Sequence, residues 1–156
     1  MRHGPAEPER AGHSDAQRRL TGAGRHRIAI QAAALRASGF DFTRILSSPL
    51  IRCVETAEII GSVLSVEVER DALLALDAST DDFLEVISRL DAAERPLIVA
   101  HQPEVESLVH LWTGASIFFE PGTFVLCETS PSGRTARLRD VLSPQVQLAI
   151  GHHLSA

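Results

Sequence analysis

Four side chains in this sequence of 156 residues are of types that could together handle a phosphoryl group. Arg2 and His3 are neighbours at the amino end of the chain. Arg52 closely follows a Ser-Ser pair, and His101 directly follows an apolar run. Guanidinium groups bind two phosphoryl oxygens at once, which the point charge of a lysine does less well. A neutral imidazole is a competent nucleophile toward phosphorus, so the pattern predicts a phosphate site with His3 as the nucleophile.

The secondary structure expected around these residues would bring them to one edge of a sheet. Hydrophobic spacing and turn residues predict helices over 23–38, 50–64, 80–90 and 104–113, and strands over 44–48, 66–68, 96–100, 123–128 and 135–140. Strands alternating with helices indicate an α/β fold with a mostly parallel sheet, in which ligands bind beyond the carboxyl ends of the strands. Arg52 and His101 follow two such ends, and His3 would follow a third.

Length and composition favour one domain over residues 1–156, with the motifs inside 2–140 and 141–156 as a tail or terminal helix. The net charge is −5 and the chain contains no block of Lys and Arg, so neither nucleic acid nor a membrane is an expected partner. Two cysteines without a secretion signal indicate a reducing compartment, and the predicted localisation is cytoplasmic.

Three ordered motifs resemble those of one known family. Residues 2–6 resemble the RHGxA signature of the histidine phosphatase superfamily. Residues 47–57 resemble its SSPxxRxxxTA block, and residues 99–103 resemble the block that carries its second histidine. The stretch 15–24 further resembles the short, SixA-like phosphohistidine phosphatase branch.

This resemblance implies a three-layer α/β/α sandwich of the phosphoglycerate-mutase-like type, with no cofactor and no metal. His3 would attack the phosphoryl group and become transiently phosphorylated. The remaining pocket residues would bind the phosphoryl oxygens and stabilise their charge. Those expected to act with His3 in catalysis are Arg2, Arg52 and His101, and those expected only to bind substrate are Arg18 and Gly4.

The sequence departs from the family pattern at two places. Family members carry a strand of several apolar residues directly before the RHG motif, whereas here only Met1 precedes it, so we expect a largely missing first strand and His3 on a frayed end. Many members also use a carboxylic acid to protonate the leaving oxygen, and Asp77 is the nearest candidate for this possible proton donor. Asp15 and Glu104 are interpreted as a solvated loop residue and a first-turn helix acid.

Two functions remain open from the sequence. The first is a metal-independent phosphatase for a phosphorylated protein, phosphohistidine or a small phosphomonoester; a sugar phosphate would require an acid such as Asp77. The alternative is a catalytically impaired relative, lacking the first strand, that binds phosphate or a phosphoprotein. The adjacent His152 and His153 predict no metal site, because no further ligands at suitable spacing accompany them. The oligomeric state is left open.

Overall fold

Helices and strands alternate along the computed structural model, which describes residues 1–9, 11–12, 14–130 and 132–147. The helices are α1 (Gly22–Ala37), α2 (Ile51–Leu64), α3 (Thr80–Ser88) and α4 (Glu104–Thr113). The strands are β1 (Arg44–Ser47), β2 (Val68–Arg70), β3 (Pro96–Val99), β4 (Phe124–Thr129) and β5 (Ala136–Leu142). Residues 144–147 are helical, while 148–156, with His152 and His153, lie outside the described residues.

The central sheet is parallel and has helices on both faces. Its strand order is β2-β1-β3, and Ile45 of β1 pairs with Val68 on one side and Leu97 on the other. Side chains alternate between the faces: Ile45 and Leu97 pack in one core cluster with residues of α1 and α2. Leu46 packs in a second cluster with residues of α3 and α4. This arrangement confirms the predicted three-layer α/β/α sandwich.

Residues 1–3 are held within the sheet by backbone hydrogen bonds on both sides. The amide of Ala100 donates to the carbonyl of Met1 at 3.0 Å, and the amide of His3 donates to the carbonyl of Ala100 at 2.9 Å. On the other side the amide of Arg2 donates to the carbonyl of Thr123 at 3.0 Å. The expectation of a frayed His3 is therefore wrong, because backbone pairing on both sides fixes its position.

An open cleft of about 1060 Å³ lies between β3 and β4 and is bordered by Met1. Three aromatic rings that contact one another, Phe40, Phe42 and Phe124, form part of its wall. The Met1 amine donates to the carbonyl of Ile98 at 2.7 Å. Burial lowers the pKa of this amine to about 5, so it is neutral at pH 7 and places no net charge beside the apolar wall.

Helix α1 approaches the segment after His3 closely because residue 24 has no side chain. A Cβ on Gly24 would lie 2.0 Å from the carbonyl oxygen of Pro5, closer than nonbonded atoms come. The same turn is capped by Thr21, whose Oγ1 accepts from the Gly24 amide at 2.9 Å. Glycine at position 24 therefore sets the distance between α1 and the loop that leads away from His3. None of the helices in the described ranges is both long and apolar enough to cross a membrane.

We predict that Gly24→Ala lowers the free energy of unfolding by about 1–3 kcal/mol, because the new methyl group overpacks against Pro5. Gly22→Ala is the matched control in the same helical turn, since a Cβ there meets no atom within 4 Å. That control should be neutral or stabilising by up to about 1 kcal/mol, as alanine is the better helix former. Urea denaturation of both variants measures the difference, and equal effects would contradict the close approach.

Candidate active site

The predicted site residues meet where the parallel strands end. The carbonyl of Val99, the last residue of β3, accepts from the amide of Ser48, which follows β1, at 2.9 Å. The carbonyl of the next residue, Ala100, accepts from His3. Helix α2 begins at Ile51, so Arg52 in its first turn points back to the same edge. The topology thus brings three sequence-distant motifs together, as the sequence predicts.

The imidazole of His3 is held in one tautomer by a partner at each nitrogen. Nδ1 lies 2.7 Å from the carbonyl oxygen of Gly4, which can only accept, so Nδ1 carries the proton. Nε2 accepts from Nε of Arg52 at 3.1 Å, so the lone pair is on Nε2. Burial lowers the pKa of His3 to about 3, and repulsion from Arg52 and Arg2 adds to this effect. At pH 7 the ring is therefore neutral, with its lone pair facing a guanidinium.

Arg52 is almost completely buried, and each of its two terminal nitrogens donates to Asp15. Nη1 donates to the Asp15 carbonyl at 2.8 Å, and Nη2 donates to Oδ2 of the same residue at 2.8 Å. The other carboxylate oxygen, Oδ1, accepts from Nε of Arg18 at 2.7 Å, while Nη1 of Arg18 donates to the carbonyl of Glu7 at 2.9 Å. One carboxylate therefore bridges two of the predicted phosphate-binding arginines.

Arg2 completes the cationic group. Its Nη1 donates to Oε1 of Gln102 at 2.6 Å and to the carbonyl of Phe119 at 2.5 Å. Its Nε is buried and bonds to no atom of the described residues. Burial lowers the pKa of Arg2, and repulsion from the positive charges of Arg52 and Arg18 lowers it further, so the three guanidinium groups form one cationic cluster. Their clustered positive charge, with one unused buried donor, suits an anion.

His101 is buried and directly follows Ala100, the backbone partner of His3, but its ring bonds to other groups. Nδ1 lies 2.7 Å from Oε2 of Glu104, and Nε2 lies 3.1 Å from the carbonyl oxygen of Leu74. Both nitrogens of the ring therefore face oxygen atoms of the protein, which fixes the orientation of the imidazole. Glu104 is a partner that the sequence analysis missed; its spacing of three residues from His101, across a helix start, is the local signal. A phosphoryl-binding role for His101 stays a prediction.

Gly4 and Asp77 differ in how they relate to the site. The Gly4 amide donates to Oγ1 of Thr56 at 3.0 Å, and a Cβ on Gly4 would lie 2.5 Å from Cγ1 of Ile28. Gly4 therefore packs the segment that follows His3 against α1 and α2. Its predicted substrate contact is untested. Asp77 is exposed, has a φ of 64°, and makes no hydrogen bond or ion pair within the described residues. Its role as a proton donor stays a prediction.

The described ranges contain no group of three or more His, Cys, Asp or Glu side chains that could hold a metal ion. Positive charge at this site is supplied by the guanidinium groups of Arg2, Arg18 and Arg52.

This chain is similar to known proteins in sequence and in structure. The sequence profile of a family described as the histidine phosphatase superfamily (branch 1) matches residues 1–75. An uncharacterised protein of Picosynechococcus sp. is 33% identical over 125 residues, which make up 78% of this chain and 73% of that protein.

Two solved structures are similar over nearly their whole length. The protein histidine phosphatase SixA complexed with tungstate is 26% identical, with a TM-score of 0.83 and coverage of 93% of this chain and 95% of that chain. A phosphohistidine phosphatase SixA from Agrobacterium tumefaciens is 21% identical, with a TM-score of 0.81 and coverage of 92% and 95%. The second likeness bears on the fold alone.

We predict that acid weakens the folded state partly through His3. The pKa of His3 falls from 6.5 to about 3 on folding. Between these two pH values the imidazole is therefore protonated in the unfolded chain and neutral in the folded chain. This difference costs nothing above pH 6.5, where the ring is neutral in both states, and it destabilises the folded chain increasingly as the pH falls from 6.5 toward 3. Urea denaturation at several pH values should show a larger loss for the native sequence than for His3→Gln. Parallel losses in both proteins would refute the proposed origin.

We also predict that Glu104→Ala lowers the free energy of unfolding by about 1–3 kcal/mol, since it leaves the buried Nδ1 of His101 without a partner. Glu85→Ala serves as the control. Glu85 is an exposed helical glutamate that forms an ion pair with Arg89, and such surface pairs contribute at most about 1 kcal/mol to the free energy of unfolding. Thermal or urea denaturation compares the two variants. A cost for Glu104→Ala no larger than the control would show that the Glu104 contact is unimportant.

Proposed function

This chain belongs to the histidine phosphatase superfamily, in its SixA-like branch, and we propose that it is a phosphatase that forms a covalent phosphohistidine intermediate on Nε2 of His3. The observation that carries the proposal is the neutral His3 ring, whose lone pair faces Nε of Arg52 at 3.1 Å. A buried neutral imidazole in one fixed tautomer needs no base to activate it.

In the first step the Nε2 lone pair forms a bond to phosphorus while the bond to the leaving group breaks, and its electron pair departs with that group. The ring becomes positively charged, and the Nδ1 proton bonded to Gly4 stabilises that charge. Arg2, Arg18 and Arg52 would bind the phosphoryl oxygens as charge develops on them. In the second step water attacks phosphorus and the electrons of the N–P bond return to Nε2.

The pKa of His3 influences the two steps in opposite directions. A weakly basic nitrogen is the weaker nucleophile, but it is also the better leaving group when water attacks the phosphorylated ring. Phosphoramidate substrates suit such a site, because their nitrogen can leave already protonated, whereas an alkyl phosphate needs an acid such as Asp77. We therefore favour a phosphohistidine-containing protein as the substrate, with small phosphomonoesters as the alternative. The SixA relative, a protein histidine phosphatase, supports this choice.

A second candidate function is binding without turnover. The observation that favours it is that the donors of Arg52 bond to His3 and Asp15, so an incoming anion meets an already neutralised guanidinium. Such a chain would recognise phosphate or a phosphoprotein and release it unchanged.

We predict that the native chain releases phosphate from a phosphohistidine peptide and that His3→Ala abolishes this release, because the nucleophile is lost. A ³²P-labelled substrate followed by rapid denaturation should trap an acid-labile, base-stable phosphoenzyme only in the native sequence. His26→Ala is the matched control, since His26 is an exposed histidine of α1. A metal chelator should leave turnover unchanged.

Each alternative has its own outcome in this experiment. Turnover that survives in His3→Ala would disprove the covalent mechanism. Binding of the phosphopeptide with no turnover in the native chain would establish the binding function instead. Release from an alkyl phosphate that disappears in Asp77→Asn would indicate a phosphomonoester substrate and an acid-dependent step.

A further inference from the structure

Asp15 occupies the donors that a bound phosphoryl group would use. Its Oδ2 accepts from Nη2 of Arg52, and its Oδ1 accepts from Nε of Arg18 and lies 2.6 Å from Nη2 of Arg18. A carboxylate that bridges two guanidinium groups has the charge and oxygen spacing of part of a phosphoryl anion. These donors are thus already occupied by an anion of the protein itself.

The two arginines stay anchored independently of this carboxylate. Nη1 of Arg52 donates to the backbone carbonyl of Asp15, and Nη1 of Arg18 donates to the backbone carbonyl of Glu7. Rotation of the Asp15 side chain would therefore free Nη2 of Arg52 and the Nε and Nη2 groups of Arg18 without moving the loop. The freed donors are those on the side that the carboxylate now fills.

The surroundings allow this exchange. The side chain of Asp15 is 27% exposed and that of Arg18 is 22% exposed, so an anion from solvent can reach both, whereas Arg52 is only 3% exposed. A cleft of about 490 Å³, bordered by Asp15, Arg18 and Glu7, provides space for the displaced carboxylate. Burial alone would raise the pKa of Asp15, but hydrogen bonds from Arg18 and Arg52 outweigh it and keep the carboxylate ionised.

We propose that Asp15 is the resident anion of this pocket: a phosphoryl group must displace its carboxylate from Arg18 and Arg52, and this competition sets the affinity of the site for anions. The inference rests on the proposed phosphoryl-binding role of Arg52 and goes beyond it, because it assigns a specificity role to a carboxylate in a site otherwise built from cations. Asp15 reduces the affinity for free phosphate, so the site discriminates against simple anions in favour of substrates that supply further contacts.

Isothermal titration with inorganic phosphate at fixed salt tests this competition. Asp15→Asn should bind phosphate about tenfold more tightly than the native chain, because a neutral amide competes less well than a carboxylate for the guanidinium donors. Asp15→Ser, which removes both carboxylate oxygens, should show the same direction. Asp140→Asn is the control for net charge alone, since Asp140 is an exposed aspartate of β5. Thermal denaturation verifies that each variant is folded.

The outcomes separate this inference from the proposed catalytic function. Tighter phosphate binding in both Asp15 variants, but not in Asp140→Asn, supports the inference even if the chain proves to lack turnover. Unchanged or weaker binding in the Asp15 variants overturns it, because the carboxylate would then position the arginines rather than compete for them. Equal tightening in Asp140→Asn also overturns it, since net charge would explain the effect. Loss of turnover in His3→Ala bears only on the catalytic proposal.

Discussion

Backbone pairing of three residues is the constraint on which the site depends. Met1, Arg2 and His3 lie between Ala100 on one side and Thr123 on the other, and their backbone hydrogen bonds fix the position of His3, the proposed nucleophile. A side chain that must lie in line with a scissile bond has little tolerance for displacement. Pairing of these three residues is therefore enough to position His3 for the proposed attack.

The electrostatics of the pocket follow from burial combined with like charges. The guanidinium groups of Arg52 and Arg18 lie close enough to Arg2 to lower its pKa, in addition to the larger effect of burial. In such a field a buried imidazole gives up its proton, and so His3 is neutral rather than cationic. Asp15 partly balances the positive charge, and it can do so because it lies on a loop that solvent reaches. The same cations thus contribute to the low pKa of His3 and also attract the carboxylate of Asp15.

Much of the fold could be predicted because its signals are local. The side-chain caps of Thr21 and Ser79 lie at the starts of α1 and α3, and α4 spans the residues that the hydrophobic spacing indicates. Strand β2 was expected over 66–68 but spans Val68–Arg70, because pairing with β1 rather than local preference sets the position of so short a strand.

The contacts within the site could be predicted only in part. The motifs brought His3 and Arg52 together correctly, since each motif fixes its residue at the end of an element. The partners of Asp15 and His101 were not foreseen, because a bond between Arg52 and Asp15 spans 37 positions and the carbonyl of Leu74 carries no sequence signal.

The amine of Met1 is buried, which limits the groups that can be attached to this nitrogen. Any acyl group or linker attached to this nitrogen must enter the cleft between β3 and β4, beside the aromatic rings that form its wall. An amide there would still offer one N–H to Ile98, without a group that can acquire a proton. A label on this nitrogen consequently alters the edge of the cleft next to the bonds that position His3.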